Sequence, residues 1–483
     1  MKIFFKRTVL TLFFIIMSGG AANRGDAFDL SGFNPAGRFF DDLEQKIPNL
    51  EARGFFRNKT DIALHGKSND SGLGHRVRDW DFQMIESNAE IEFRYKLSDH
   101  LEIINVDHFL YDALYDCDDG DFPRGVEKRL KKYDSFKEIM REFHLNLICD
   151  RWFFKLGKQQ VVWGKMDGKC IDIINSEDAR ESVNGGQEDY EWRRIPTWMA
   201  NLTYFWSDYY LQFILIPDFE PSTPPPRGSV WWYPALPVSS SSITGKRDMP
   251  GVSFENQEVA VRFNMVKGGW DTSLIYFYTW DDYPTMFRRG FGKDPVTGRE
   301  IAYKEPKHTR LHQFGFNVDK GNWFAGRNWV WRMEFLYTLN DYVSAKEPLN
   351  SDGVAKRNNL KSMSSIETNW WHGEINTLFQ FNWKYQCGYK RDFRRFGARM
   401  KRLDSTLLVS ISKKWFGNRL KLASSFYCRP GEGSWKFKDT LSWEFSDYIT
   451  AQLRYTGFSG PSDDIYGMYD KWDNIGCEVK YAF

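Results

Sequence analysis

Long apolar runs are missing from almost all of this chain. After Met17 no stretch of about 18 apolar residues occurs, so no later segment can cross a membrane as a helix. A charge excess is missing too: Lys and Arg number 66 and Asp and Glu 64, a difference of 66 − 64 = +2. Nucleic-acid binding would ask for a basic surplus, so nucleic acid is excluded as the main partner. Cysteine is sparse, with six in 483 residues. Cys149, Cys428 and Cys477 continue alternating apolar series and read as small strand residues, while Cys117, Cys170 and Cys387 fall in expected loops. One loop disulfide among the latter fits the spacing; a disulfide framework does not.

Motifs for catalysis or cofactors are lacking as well. "GKQQVVWGK" (157–165) resembles a phosphate loop, but six residues separate Gly157 from Gly164, and Met166 stands where Ser or Thr is required. "DCDDGD" (116–121) offers oxygen ligands, yet Gly120 comes one place early for a calcium loop and no Glu closes it; it reads as a solvated loop. His308 and His312 on a strand would share a face about 13 Å apart, too far for one metal ion. No Ser/His/Asp set stands out. The chain is read as no enzyme and as needing no cofactor.

What is present is period two, with aromatic residues. Mean hydropathy is −0.56, yet aromatics are 17% of residues and Trp numbers 20. In "IESNAEIEFRYKL" (85–97) the odd positions are Ile85, Ser87, Ala89, Ile91, Phe93, Tyr95 and Leu97, while Glu86, Asn88, Glu90, Glu92, Arg94 and Lys96 alternate with them. On a strand this gives one apolar and one charged face. "GEINTLFQFNWKY", "NWVWRMEFLYTL" and "EVAVRFNMV" repeat the pattern. These segments run about 10–14 residues, longer than ordinary globular strands and suited to a tilted membrane strand. Short connections (98–100, 149–151, 207–209, 267–269, 371–373, 416–418, 446–448) alternate with long polar ones (roughly 113–138, 164–196, 218–254, 282–306, 342–361 and 387–403). Short turns at one end and long loops at the other predict an all-β fold, a transmembrane antiparallel up-and-down β-barrel in the cell outer membrane. Strands are expected to begin near 54, 83, 100, 139, 151, 197, 209, 255, 269, 307, 327, 362, 373, 404, 418, 434, 449 and 471. That makes about 18; the segments near 54, 362 and 404 are the weakest, and 16 is the alternative count.

The ends agree with this. Residues 1–27 have the layout of a signal peptide: basic Lys2, Lys6 and Arg7, the apolar "VLTLFFIIM", then small residues. Residues 28–52 form an N-terminal segment with a short helix, whose Phe39, Phe40, Leu43 and Ile47 share a face, and 53–483 form the barrel. The terminal "NIGCEVKYAF" sets Ile475, Cys477, Val479, Tyr481 and Phe483 on one side. This resembles the C-terminal signal read by the barrel-assembly machinery, which makes Phe483 the contact for that partner. Trp198, Trp206, Tyr209, Tyr210, Trp270, Trp280, Trp370, Trp371, Trp415 and Trp472 near strand ends suit the headgroup level of outer-membrane lipid and lipopolysaccharide.

Glu90, Glu92, Arg94, Arg262, Arg332, Glu334 and Lys384 are then expected to line the lumen; both signs of charge suggest a polar or zwitterionic path. The long charged loop 164–196, with Lys165, Asp167, Asp189, Arg193 and Arg194, could fold inward and narrow the pore or stay outside. The proline-rich "IPDFEPSTPPPRGSVWWYPALP" (216–237) would be stiff and extended, covering the mouth or only protecting the edge. Strict alternation from Trp152 would send Lys158 and Gln160 into lipid. A bulge at Gly157 would turn Lys158, Gln160 and Val162 to the lumen, with Val161 and Trp163 outward.

The blocks "LGKQQVVWGKMDG", "DIIN", "RRIPTWMANLTYF" and "IPDFEPSTPPP" resemble those of a family of uncharacterised Gram-negative outer-membrane β-barrel proteins, a domain-of-unknown-function family distantly similar to alginate-export porins. Ser176 stands where that family would have proline. The resemblance implies an outer-membrane channel. It also implies partnership with periplasmic carrier proteins and an inner-membrane exporter, as would serve transport of hydrophobic or lipid-like molecules. The expected function is a porin-like channel passing solutes through a charged lumen narrowed by an infolded loop. The alternatives are an outer-membrane export component for lipid-like molecules and a plugged structural or adhesin barrel.

Overall fold

Alternation along each segment becomes a wall when every strand finds an antiparallel partner on both sides. A computed structural model describes residues 34–65, 79–117, 136–180, 184, 190–226, 229–232, 242–244, 246–293, 298, 300–345, 352–395 and 398–483. Residues 1–27, read as a signal peptide, lie outside the described residues. The wall consists of β1 (Leu50–Ala63), β2 (Phe82–Ser98), β3 (Leu101–Asp112), β4 (Met140–Cys149), β5 (Trp152–Gln159) and β6 (Thr197–Trp206). It continues with β7 (Tyr209–Ile216), β8 (Glu258–Lys267), β9 (Trp270–Trp280), β10 (Arg310–Phe324), β11 (Arg327–Ser344) and β12 (Val354–Trp370). It ends with β13 (Ile375–Gln386), β14 (Leu403–Trp415), β15 (Leu420–Arg429), β16 (Ser434–Glu444), β17 (Ile449–Ser459) and β18 (Asn474–Ala482). Each pairs with the next, and β1 also pairs with β18, from Phe55↔Ala482 to Ala63↔Asn474. The result is a closed 18-stranded antiparallel barrel without an edge. Closure satisfies the backbone groups that lipid cannot.

Residues opposite one another in the ladder share a face. One face carries exposed Leu274, Ile366, Phe379 and Leu453; the other carries buried Glu86, Asn88, Ser273 and Gln380. The apolar face is outward, toward lipid, and the polar face is inward. The short turns close with left-handed residues: Gly268 and Gly269, and Ala325 and Gly326, all have φ between 51° and 75°. Two consecutive positive φ values match the right-handed twist of the flanking strands. This end is periplasmic by the short-turn rule.

All 18 expected strands are present. The largest displacement is at β12, which begins at Val354 rather than near 362, so the expected 342–361 loop is mostly strand. β11 and β12 rise above the membrane there, paired from Asp341↔Arg357 to Ser344↔Val354. Lys356, Arg357, Asn358 and Asn359 put polar side chains on both faces of that extension and hide the alternation.

Helix α1 (Pro35–Lys46) begins at Asn34, whose side chain accepts the Gly37 N–H, with Pro35 in the first turn. It lies against the outward face at the periplasmic end. Phe40 stacks on the ring of Phe483 at 4.9 Å, and the Tyr481 hydroxyl accepts the Ala36 N–H at 3.1 Å. At the other end three connections share an aromatic cluster: Leu114 and Tyr115, Val230 and Trp231, and Phe458, Met468, Tyr469 and Trp472. Tyr469 donates to the Trp231 carbonyl at 2.9 Å. The proline-rich connection leaves β7 and docks beside β17 and β18, about half the circumference away. Its described residues thus reach the far side of the rim.

Candidate functional site

The approach to the site starts at Gly157. The ladder is continuous here: Leu145↔Leu156, His144↔Gly157 and Phe143↔Lys158 on one side, Gly157↔Met199 and Lys158↔Trp198 on the other. No bulge interrupts it, which corrects the expected register. Lys158 stays on the face of Phe143 and Trp198, both exposed. It is accommodated because β5 ends at Gln159, so Lys158 sits at the rim, its ammonium donating to the Met140 carbonyl at 2.8 Å. Glycine is required at 157 for another reason. Its φ is +133°, and a Cβ would stand 2.2 Å from the Phe143 carbonyl oxygen and 2.7 Å from the His144 Cα. Gln160, past the strand end, reaches inward to Glu142 at 2.9 Å. Val161 and Trp163, expected toward lipid, are buried in an internal apolar cluster, whereas Val162, expected inward, is exposed.

Segment 160–196 then enters the barrel. Trp163 donates through its indole to Gln212 on β7 at 2.8 Å. The backbone N–H groups of Lys165 and Ile171 donate to the two Glu334 oxygens on β11 at 2.9 and 3.4 Å. Asp167 exchanges hydrogen bonds with Gln380 on β13 at 3.1 and 2.6 Å. The Lys165 ammonium pairs with Asp271 on β9 at 2.6 Å and with Asp319 on β10. The returning limb reaches the opposite wall: Asn184 donates to Asp61 on β1 at 2.7 Å, and Trp192 packs on His108 with the Arg57 guanidinium 4.6 Å from its ring centre. The limbs are clipped together by Arg194 on Asp172 at 2.7 Å and by Arg193 on Glu177. Asn175 accepts from the Val161 N–H at 2.8 Å and donates to the Ile195 carbonyl at 3.0 Å.

Sequence reasoning missed the apolar part of this contact. Val161, Trp163, Cys170, Ile171 and Ile174 of the segment pack on Met199, Ile214, Ile216, Ala260, Ile275, Phe277, Leu336 and Met363 of the inner wall. The signal was available: "FILI" in β7 and "LIYFY" in β9 are apolar on both faces, which a strand with one wet face does not need. Burial pushes the Cys170 thiol well above its ordinary value, so it remains an inert packing group.

Glu90, Glu92, Arg94, Arg262, Arg332, Glu334 and Lys384 occupy positions that alternate with the outward apolar residues of their strands, and Arg262 and Glu334 are buried there. Glu90 is 3.9 Å from Arg141; Glu92 pairs with Arg53 at 2.7 Å and Arg94 at 3.6 Å. Arg332 pairs with Glu367 at 2.8 Å, Arg262 donates to Ser273 at 2.9 Å, and Lys384 is 3.9 Å from Asp341. Arg193 and Arg194 are spent on the loop's own carboxylates. Asp189 lies outside the described residues. Cys170 and Cys387 are free, so neither forms the loop disulfide; the side chain of Cys117 and residues 118–121 are outside the described residues. Among the described residues no group of three or more His, Cys, Asp or Glu is placed to hold a metal ion.

His308 fastens the rim. Its Nδ1 lies 2.6 Å from the Asp281 carbonyl oxygen and its Nε2 2.7 Å from Arg247 Nε. A carbonyl only accepts and a guanidinium only donates, so the neutral Nδ1–H tautomer fits. Burial lowers its pKa from 6.5 to about 4. Below pH 6.5 the unfolded loop therefore binds a proton that the folded loop refuses until near pH 4. The contribution is complete above pH 6.5 and fades as pH falls, by about 2 kcal/mol at pH 5. Limited proteolysis should cut loop 281–309 faster at pH 5 than at pH 7, and His308→Gln should flatten that difference; equal rates in the native protein would refute the assignment.

No family model matches the sequence, and no curated protein matches it. Solved structures do. OccAB1 of Acinetobacter baumannii is 8% identical, covering 90% of this chain and 96% of that one, with a TM-score of 0.50. OpdL of Pseudomonas aeruginosa is 9% identical over 90% and 99%, with a TM-score of 0.48. The outer-membrane channel DcaP of Acinetobacter baumannii is 10% identical over 90% and 97%, with a TM-score of 0.41. Identities this low speak for the fold alone, and they carry no particular kinship to alginate-export porins. With its lipid-facing apolar exterior and polar interior, the chain is an outer-membrane β-barrel of porin-like fold.

Proposed function

We propose that this protein is an outer-membrane channel that passes solutes through a charged lumen narrowed by segment 160–196. The supporting observation is that segment's course: it is hydrogen-bonded to inward side chains of β7, β11 and β13 on one wall and of β1 on the other. A segment so held reduces the free cross-section and sets Lys165, Asp271 and Asp319 beside the remaining path. Charged rings at a narrow point set selectivity.

The rival reading, export of lipid-like molecules, draws on the apolar inner residues. Those of β6 to β12 are covered by Trp163, Ile171 and their neighbours, so they serve to hold the segment. We extend the proposal to partners: lipopolysaccharide and outer-membrane lipid around the wall, the assembly machinery reading the strand that ends in Phe483, and periplasmic carriers at the short-turn end.

Conductance in a planar bilayer tests the reading. Well-inserted protein should give ohmic steps; a silent barrel would favour the plugged alternative. Arg193→Ala with Arg194→Ala removes the clips on Glu177 and Asp172 and should raise conductance or change ion preference. Identical current would place the narrow point elsewhere.

A further inference from the structure

Charge on the inner wall is mixed overall but not evenly shared. Lys361 on β12 and Lys384 on β13 stand directly opposite each other in the ladder. Like charges so placed repel and destabilise the pairing. Both point inward, since Lys361 is also in register with Leu336 of the internal cluster. Arg395, from the hairpin above, adds a third cation, and Lys169 of the infolded segment a fourth within electrostatic reach of Lys361.

The nearby carboxylates are committed. Asp341 accepts from Arg395 at 3.3 Å and from Asn359 at 2.7 Å, and lies 3.9 Å from Lys384. Asp281 accepts from Arg395 at 3.2 Å and from the Tyr283 N–H at 3.2 Å. Asp282 is 3.4 Å from Lys169; Asp404, opposite Lys384 in the ladder, pairs with Arg429 at 2.8 Å; and Glu334 accepts from the Lys165 and Ile171 N–H groups. Among the described residues no carboxylate lies within 4 Å of Lys361. Beside the pair, Asn382 faces inward opposite Met363; its carbonyl accepts from Gln380 at 3.0 Å, and its amide NH2 donates to no described residue. Two ammonium groups and an amide donor thus share one patch of wall, and Lys361 and the Asn382 amide have no acceptor among the described side chains.

We propose that Lys361, Lys384 and Asn382 form an oxyanion-binding subsite, taking the carboxylate or phosphate group of a solute in transit. Such an anion supplies the partner that Lys361 lacks, and both groups accept several charge-assisted hydrogen bonds at once. The site explains why two lysines face each other across the ladder. It rests on the channel reading for its role in transit, but not for its chemistry.

The test uses the purified full-length barrel, with calorimetric titration of inorganic phosphate and, separately, succinate, beside bilayer conductance. Native protein should bind one or both. Lys361→Met should weaken binding about tenfold or more, as loss of one charge-assisted contact does. Lys421→Met, on β15, should leave binding unchanged. Heat-dependent gel migration confirms that each variant is folded, and Lys384→Met replaces Lys361→Met if that variant does not assemble. Preference between the two titrants identifies the solute group. No binding by the native protein, or equal binding by the lysine variants, overturns the subsite even where conductance is normal. Binding that Lys361→Met abolishes, in a barrel that carries no current, upholds the subsite and overturns the channel.

Discussion

Gly157→Ala is expected to cripple barrel assembly, although it adds one methyl group. That methyl would enter space occupied by the Phe143 carbonyl and the His144 Cα, atoms of the β4 backbone. Side chains can rotate away from such a clash; a ladder strand cannot without breaking the pairs His144↔Gly157 and Gly157↔Met199. The φ of +133° adds strain that alanine would have to bear. Overpacking and backbone strain together should cost about 3 kcal/mol or more. Gly321→Ala is the matched control: it lies in β10, and a Cβ there meets nothing within 4 Å. It should change stability by no more than about 0.5 kcal/mol. The measurement is the temperature at which the folded, fast-migrating form is lost on a gel. Equal melting of the two variants would remove the steric argument.

The wall was legible because lipid outside and water inside enforce a period of two. Where both faces carry polar side chains, as at Lys356 to Asn359 in the upper part of β12, alternation disappears and the strand start could not be placed. Where both faces are apolar, as at Ile214, Ile216, Ile275 and Phe277, alternation also disappears, and an inner surface built to bind a loop went unread. The Gly157 error has the same root. Strict alternation put Lys158 on the face of Phe143 and Trp198, as the ladder does, although the side chain is buried there; the bulge was invoked to turn it inward. The cost that motivated the rescue applies at the membrane midplane and falls toward the interface. β5 is only 8 residues long, so its last residues are already at the rim. Contacts such as Asn184 with Asp61, 123 positions apart, have no sequence signature, so charged loop residues could be nominated but their partners could not.

Trp163→Ala with Ile171→Ala should release segment 160–196 from the wall and raise single-channel conductance several-fold. Both side chains are almost fully buried in the cluster that Ile214, Ile275, Phe277 and Leu336 complete. Truncating a buried Trp costs about 3–5 kcal/mol, and Ile→Ala about 2–5 kcal/mol, with less than additive effect for neighbours in one cluster. Trp163 also forfeits its bond to Gln212. The polar ties to Glu334 and Gln380 are backbone contacts that persist only while the segment stays in place, and water can replace them once the apolar cluster opens. The wall pairs its own backbone throughout and does not depend on the segment, so the variant should insert and migrate as a folded barrel. Wider, noisier current steps are the expected result, with weaker ion preference as Lys165 leaves Asp271 and Asp319. Steps of native size from a folded variant would mean that segment 160–196 is not the narrowest part of the path, and the connection between β7 and β8 would become the element to remove next.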